Sequence, residues 1–108
     1  GNFYPDFLLW LVNRETGQQY LTLVDPKGIR NMNYDDAKIE FYKEIKNIEA
    51  KLKHSDLTLN SFILSITPMK DILNNALSED KFADKNVLFM VGNGTAYLEK
   101  MLEKILQP

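Results

Sequence analysis

The fold of this chain is decided by residues 5–28, which read PDFLLWLVNRETGQQYLTLVDPKG. Two apolar runs of strand length, residues 6–13 and 19–26, flank a short polar segment. Apolar strands separated by a short polar turn are typical of a β-hairpin. If the turn is centred between Glu15 and Thr16, the numbers of opposing residues sum to 31. This register predicts that Asp6 lies opposite Asp25.

Asp6 and Asp25 form the first candidate site. Directly opposed residues of an antiparallel pair have Cβ atoms about 4.5–5.5 Å apart. We expect carboxylates at that distance to repel each other, because the apolar strands offer them no cation, and a divalent metal ion would relieve the repulsion. Lys27 follows Asp25 by two residues and therefore lies on the same face. A bulge at Gly17 would shift the register by one residue and separate the two carboxylates.

The spacing of Pro5-Asp6 and Asp25-Pro26-Lys27 around a hairpin resembles the PD-(D/E)XK signature of the restriction-endonuclease-like nucleases. The surrounding residues, FYPDF and VDPKG, are similar more narrowly to the C-terminal nuclease domain of the restriction subunit of type III restriction enzymes. The resemblance implies an α/β fold with a restriction-endonuclease-like mixed sheet, an antiparallel hairpin plus parallel strands, flanked by helices. It also implies an N-terminally truncated core and a fragment of a longer protein, because the family's usual first strand and glutamate-bearing helix are not found before Pro5.

The resemblance assigns catalytic roles to three residues. Asp6 and Asp25 would hold Mg²⁺, with Mn²⁺ as an alternative, and Lys27 would position or deprotonate the attacking water. The implied activity is Mg²⁺-dependent hydrolysis of DNA phosphodiester bonds by the endonuclease module of a restriction or DNA-processing enzyme. The implied partners are DNA, the remainder of a larger polypeptide that contains an ATPase or helicase, and a modification subunit. Cleavage by residues 1–108 alone is expected to be weak or absent.

Two other interpretations remain open. In the first, the domain keeps the nuclease fold but has lost catalysis, and it acts as a DNA-holding or protein-interaction module. In the second, the PD and DPK strings are coincidental, so that Asp6 caps the start of a strand and Asp25-Pro26 forms a turn. Metal binding distinguishes a nuclease fold from coincidence. Cleavage by the longer protein distinguishes the nuclease from the degenerate module.

Composition is that of an ordinary globular domain. The 108 residues suffice for one domain, and 44% of them are hydrophobic and 26% charged. The sequence has no Cys and only one His, so the expected metal is an oxygen-ligated ion such as Mg²⁺. The net charge of −2 gives no overall attraction to DNA. Without cysteines, a secretory signal or an apolar run of about 20 residues, we expect a cytoplasmic protein with no membrane partner.

Helices and strands alternate after the hairpin. A helix should begin near Asn33 and end near Lys53, with one polar residue, Glu49, in its apolar stripe. A strand at residues 61–67 should lie parallel to the second hairpin strand, because a long helix joins them. The pattern then predicts a short helix at 67–77, a polar connector at 78–85, a strand at 86–91 and an amphipathic helix at 95–106.

Three further features could carry chemistry. Asp36 and Glu40 could replace the family's upstream acid, although an acid paired with a lysine on a helix surface is the simpler interpretation. The turn Gly92-Asn93-Gly94-Thr95 could present N–H groups to a phosphate, but it lacks the lysine of a P-loop and is typical of a plain strand-to-helix turn. His54 is expected at the surface.

Overall fold

A computed structural model describes residues 5–33, 36–72, 77–92 and 94–107 of the chain. The described residues form one four-stranded sheet with three α-helices around it. The strands are β1 (Phe7–Val12), β2 (Gln19–Lys27), β3 (Leu57–Ser65) and β4 (Val87–Phe89). The helices are α1 (Phe41–Leu52), α2 (Glu79–Asp84) and α3 (Ala96–Ile105), with a 3₁₀ turn at Met69–Asp71.

The hairpin of β1 and β2 has the predicted register. Opposing residues have numbers that sum to 31, beginning with Phe7 opposite Val24. The Asn13 N–H donates to the Gln18 carbonyl at 2.8 Å, and the Asn13 side chain accepts two further N–H groups inside the turn. Gly17 adopts φ of 78°, a left-handed conformation that costs glycine little. The turn therefore closes without the shift of register that a bulge at this glycine would cause.

The α/β fold class with a mixed sheet is confirmed. β1 and β2 are antiparallel, β2, β3 and β4 are parallel, and the strand order is β1-β2-β3-β4. β2 and β3 pair along their whole lengths and end with Lys27 beside Ser65. Apolar clusters form around the neighbouring residues Phe62 and Ile63, whose side chains point to opposite faces of the sheet. α3 packs into the Phe62 cluster and α2 into the Ile63 cluster.

Strand β1 is largely exposed, although its side chains are apolar on both faces. Four of its side chains are more than half exposed, with 61%, 65%, 65% and 52% for Phe7, Leu8, Trp10 and Val12. A run that is apolar on both faces favours an interior strand. However, β1 lies at the edge of the sheet, and the principal helix contacts among the described residues are with β3 and β4.

Helix α1 begins later than the sequence pattern indicates. The polar residues around Asn33 predicted a start there, but residues 37–40 form turns and the helix begins at Phe41. The Asp36 carboxylate accepts a hydrogen bond from the Lys38 N–H at 2.9 Å. The Asp36 carbonyl also accepts the Glu40 N–H at 3.0 Å, so one capped turn precedes the helix. Residues 34 and 35 lie outside the described part of the chain.

Other element boundaries also differ from the prediction. β3 begins at Leu57, because β2 offers it parallel partners along its entire length. The predicted helix at 67–77 is reduced to the 3₁₀ turn Met69–Asp71, and residues 73–76 lie outside the described part. The predicted polar connector contains α2, which Ser78 caps by accepting the Lys81 N–H at 3.2 Å. β4 is shorter than predicted, and α3 agrees with its prediction.

Glu49, the polar residue in the apolar stripe of α1, binds the edge of β3. Strand β4 pairs only with the last three residues of β3, so the edge before them has no strand partner. Glu49 Oε2 accepts a hydrogen bond from the Leu59 N–H at 2.6 Å, and Asn86 Nδ2 donates to the Ser61 carbonyl at 3.0 Å. Two side chains thus satisfy backbone groups that a longer β4 would have paired.

We expect Glu49→Ala to lower the free energy of unfolding by about 1–3 kcal/mol, because it leaves the N–H of the buried residue Leu59 without a partner. Glu44→Ala is the matched control, since Glu44 is exposed on the same helix and has no ion pair among the described residues. Urea unfolding followed by circular dichroism measures both variants. Equal destabilisation by the two substitutions would contradict a specific role for the Glu49 hydrogen bond.

Candidate functional site

Asp25 and Lys27 lie at the carboxyl end of β2, where the parallel strand β3 also ends. They share one face of the sheet, because residues i and i+2 of a strand point the same way. In the parallel register Asp25 lies beside Ile63 and Lys27 lies beside Ser65. The carboxyl ends of parallel strands are a common place for ligands in open α/β sheets. This edge therefore has the position that ligand sites commonly occupy in such sheets.

Asp25 and Lys27 form an ion pair. Lys27 Nζ lies 2.8 Å from Asp25 Oδ2, and the two side chains are 19% and 7% exposed. The expectation that no cation relieves the Asp25 carboxylate is wrong, because Lys27 supplies one from the same strand. Partial burial strengthens the attraction relative to a pair in open solvent. The pair brings a carboxylate and an ammonium group together at one point on the sheet.

The backbone around Lys27 is held by the segment that follows β3. The Lys27 carbonyl accepts the Ile66 N–H at 3.1 Å, and Thr67 Oγ1 accepts the Ile29 N–H at 3.1 Å. The buried Ser65 hydroxyl donates to the Thr67 carbonyl at 2.8 Å and accepts the Thr67 N–H at 3.1 Å. This support was not predicted, although two hydroxyl residues at the end of an apolar strand were its visible signal. Lys27 therefore projects from a well-anchored backbone.

Asp6 lies just before β1 and is exposed. Asn13 and Gln18 form a hydrogen-bonded pair, and such pairs alternate with non-bonded pairs along an antiparallel hairpin. In a regular strand Asp6 would belong to a non-bonded pair, and its N–H would point away from β2. Instead, the Asp6 N–H donates to the Val24 carbonyl at 3.0 Å, at a bend in the chain. Because the backbone leaves strand geometry there, alternation does not determine the direction of the Asp6 side chain. A contact between the Asp6 and Asp25 carboxylates stays a prediction.

The donor set of this site suits a hard cation. Mg²⁺ commonly binds proteins through one or two carboxylates and keeps several water ligands. Asp25 offers one carboxylate, and Asp6 would offer a second through the predicted contact. No group of three or more His, Cys, Asp or Glu comes together anywhere in the described residues. A metal held by these two acids would keep positions for water and for a phosphate. Lys27 would then share Asp25 with the metal.

Glu40, a possible replacement for the family's upstream acid, is bound by two lysines. Its Oε1 lies 2.9 Å from Lys85 Nζ, and its Oε2 lies 3.2 Å from Lys43 Nζ. The hydrogen bond from Lys85 is the main cause that lowers the pKa of Glu40 from its ordinary value of 4.5, with burial opposing and Lys43 assisting. Asp36, the other possible replacement, bonds to the backbone N–H of Lys38. For Glu40, the predicted pairing with a lysine is confirmed.

The two other candidate features are turn residues. His54 is exposed in the connection to β3, and its carbonyl accepts the Leu57 N–H at 3.1 Å. Gly92 and Gly94 have φ angles of 109° and 59°, which suit a tight strand-to-helix turn. Asn93, between them, lies outside the described residues.

We expect Asp25→Asn to lower the melting temperature in EDTA. The substitution removes the partner of a lysine that is only 19% exposed, at a cost of about 1–3 kcal/mol. Lys27→Met should also destabilise the chain, and the double variant should lose less than the sum of the two single losses. Thermal unfolding followed by circular dichroism measures all three. A higher melting temperature for Asp25→Asn would mean that repulsion from Asp6 outweighs the ion pair.

Glu40 should make stability depend on pH in the acid range. Its folded-state pKa is lowered below the ordinary 4.5, so its contribution is complete above that pH and is lost as the pH falls through the folded pKa. Lys85→Met should therefore be destabilising at neutral pH, and its difference from wild type should shrink between about pH 5 and about pH 3. The exposed Lys81→Met serves as control. A difference that stays constant over this range would contradict the assignment.

Comparison with known proteins identifies no relative of this chain. No protein-family model, curated protein or solved structure matches the chain. Among the described residues, none of the helices has the length and apolar character needed to span a membrane. The resemblance to PD-(D/E)XK nucleases stays a prediction, and it depends on the residues from Pro5 to Lys27.

Proposed function

We propose that this chain is a Mg²⁺-dependent DNA endonuclease module of the PD-(D/E)XK type. The observation that carries the proposal is the pair of Asp25 and Lys27, an acid and a lysine at i and i+2 on the second strand of an antiparallel hairpin. A nuclease of this type needs both groups at one phosphate, the acid for the metal and the lysine for the water. The hairpin register, which opens with Phe7 opposite Val24, supports Asp6 as the second acid because Asp6 comes one residue earlier.

Each residue of the proposed site has a distinct task. Bound Mg²⁺ would supply positive charge at the scissile phosphate and lower the pKa of a water molecule. Asp25 and Asp6 would hold the ion through carboxylate oxygens. Lys27 would orient the attacking water and stabilise the negative charge that develops on the phosphate. Since the Lys27 ammonium already lies at the Asp25 carboxylate, a rotation of its flexible side chain would free that carboxylate for the metal.

The module would act within a larger cytoplasmic protein. By its similarity to type III restriction subunits, we propose that it works beside an ATPase or helicase in the same polypeptide, with DNA as substrate and a modification subunit as a further partner. The net charge of −2 means that other parts of the assembly must neutralise most of the DNA phosphates. Residues 1–108 alone are therefore proposed to cut DNA weakly or not at all.

A degenerate nuclease-fold module is the second candidate. Lys27 neutralises Asp25, and the described residues hold no cluster of three potential metal ligands. Both observations also fit a domain that has kept the hairpin and now holds DNA or another protein without hydrolysis. Metal binding without cleavage by the longer protein would favour this candidate.

The experiment that tests the proposal begins with metal binding by the chain itself. Millimolar Mg²⁺ or Mn²⁺ should raise the melting temperature, because both ions would bind only the folded carboxylate pair. Asp6→Asn and Asp25→Asn should each abolish the rise. Asp80→Asn, which changes an exposed acid on α2, should leave it intact. A wild-type chain that shows no rise would remove the metal site.

The second part of the experiment measures plasmid nicking by the longer protein. Lys27→Ala should reduce the rate by about 100-fold or more while DNA binding is kept, because the lysine acts on the transition state. The exposed Lys70→Ala should nick at the wild-type rate. If Lys27→Ala also nicks at the wild-type rate, the catalytic assignment is wrong and the degenerate module is favoured.

A further inference from the structure

A cavity of about 310 Å³ lies between α1, the first half of β3 and the end of α3. Asn60, on its wall, stands in register with Thr22, whereas Asp25 stands in register with Ile63. Side chains alternate along a strand, so the cavity lies on the sheet face opposite to the Asp25 carboxylate. It also lies towards the amino end of β3, away from the edge that holds Lys27. The cavity is therefore separate from the proposed nuclease site.

The lining of this cavity is cationic. Lys46 and Lys104 line it, and no carboxylate does so within the described residues. Lys46 Nζ lies 3.2 Å from Glu49 Oε2, whereas Lys104 has no ion pair with any described residue. Burial lowers the pKa of Lys104 from 10.5, with Asp84 opposing and Lys100 assisting. An anion in the cavity would return the electrostatic stabilisation that the Lys104 ammonium loses through burial.

Uncharged hydrogen-bond donors line the same cavity. Asn60 is only 6% exposed, and its side-chain amide has no hydrogen bond within the described part of the chain. Thr58 Oγ1 accepts from Gln18 Nε2 at 2.8 Å, which leaves the hydroxyl hydrogen of Thr58 available. Tyr42 adds a phenolic hydroxyl. Asn60 lies on the wall of the cavity, so its side-chain amide is available to donate to a ligand there.

We propose that this cavity binds a small phosphate monoester. A phosphate monoester carries about −1.5 to −2 charge at neutral pH and three strong acceptor oxygens, which match two ammonium groups and several neutral donors. A carboxylate group has less charge and fewer acceptor oxygens than a phosphate group. Succinate has two carboxylates but separates their charges, so it would place less charge at one point of the cavity. The volume of about 310 Å³ accommodates more than the phosphate itself. Since ligand pockets begin at about 300 Å³, the ester group must be small.

Calorimetric titration of the chain at constant ionic strength tests the proposal. The probes are glycerol 3-phosphate, inorganic phosphate and succinate. We expect saturable 1:1 binding of glycerol 3-phosphate, weaker binding of inorganic phosphate and the weakest binding of succinate. Lys104→Met should weaken binding of the ester by about tenfold or more. Lys100→Met, on the same helix but outside this cavity, should change it by less than about twofold.

A second lysine variant and a spectroscopic measurement extend the test. Lys46→Met changes an exposed residue and should also weaken ester binding severalfold, so a folding defect in Lys104→Met would not end the experiment. Nuclear magnetic resonance should show the Asn60 side-chain amide shifting with the same affinity, and Asp25→Asn should bind the ester as wild type does. The proposal is overturned by the absence of saturable binding, by succinate binding as tightly as the ester, or by equal losses in Lys104→Met and Lys100→Met.

Discussion

The hydrogen-bonding requirement of β3 is the constraint on which the rest of the structure depends. This strand is buried along most of its length, and its backbone groups need partners on both edges. β2 supplies partners along one edge from end to end. On the other edge β4 is too short, and the side chains of Glu49 and Asn86 bind the Leu59 N–H and the Ser61 carbonyl. The same bonds therefore determine where α1 and the start of β4 lie.

The long pairing of β2 with β3 also positions the candidate site. It continues to Lys27 beside Ser65, and the Ser65 hydroxyl holds the turn at Thr67 against the backbone after β2. Asp25 and Lys27 consequently project from the best-supported part of the sheet. Asp6 stands before an edge strand with exposed side chains, where the backbone bends. The two proposed metal ligands thus differ in how firmly the fold holds them.

The lysines discussed above differ in whether a carboxylate lies close to the ammonium group. Lys27, Lys46 and Lys85 each reach a carboxylate within 3.2 Å or less. Lys27 stabilises the end of β2, and Lys46 contacts the Glu49 side chain that binds the edge of β3. Lys85 links the segment before β4 to Glu40, just before α1. Lys104 has a lowered pKa and no carboxylate contact of this kind among the described residues. Lys104 shares the wall of one cavity with the amide of Asn60, and this combination suits a wall that receives a ligand.

Local interactions allowed the sequence by itself to determine the hairpin, its register and the order of the later elements. Asn13 and Gly17 lie in the turn that sets the register, and apolar spacing marks α3 without reference to any distant residue. The predicted start of α1 near Asn33 was wrong, because residues 37–40 form a separate turn and the helix begins at Phe41. The mixed sheet could also be predicted, because a long connection between two strands favours parallel pairing.

Only the tertiary structure decided which groups meet. The sequence pattern could not place β1 at the exposed edge, since strand order depends on which strands pair across long stretches of chain. Neither the contact of Glu49 with Leu59 nor the joining of Asn60 and Lys104 in one cavity follows from spacing, because α1, β3 and α3 are separate segments. The motif named Asp25 and Lys27, and the folded strand showed that they neutralise each other. Local chemistry thus determined the elements, and long-range pairing of backbone and charge determined the sites.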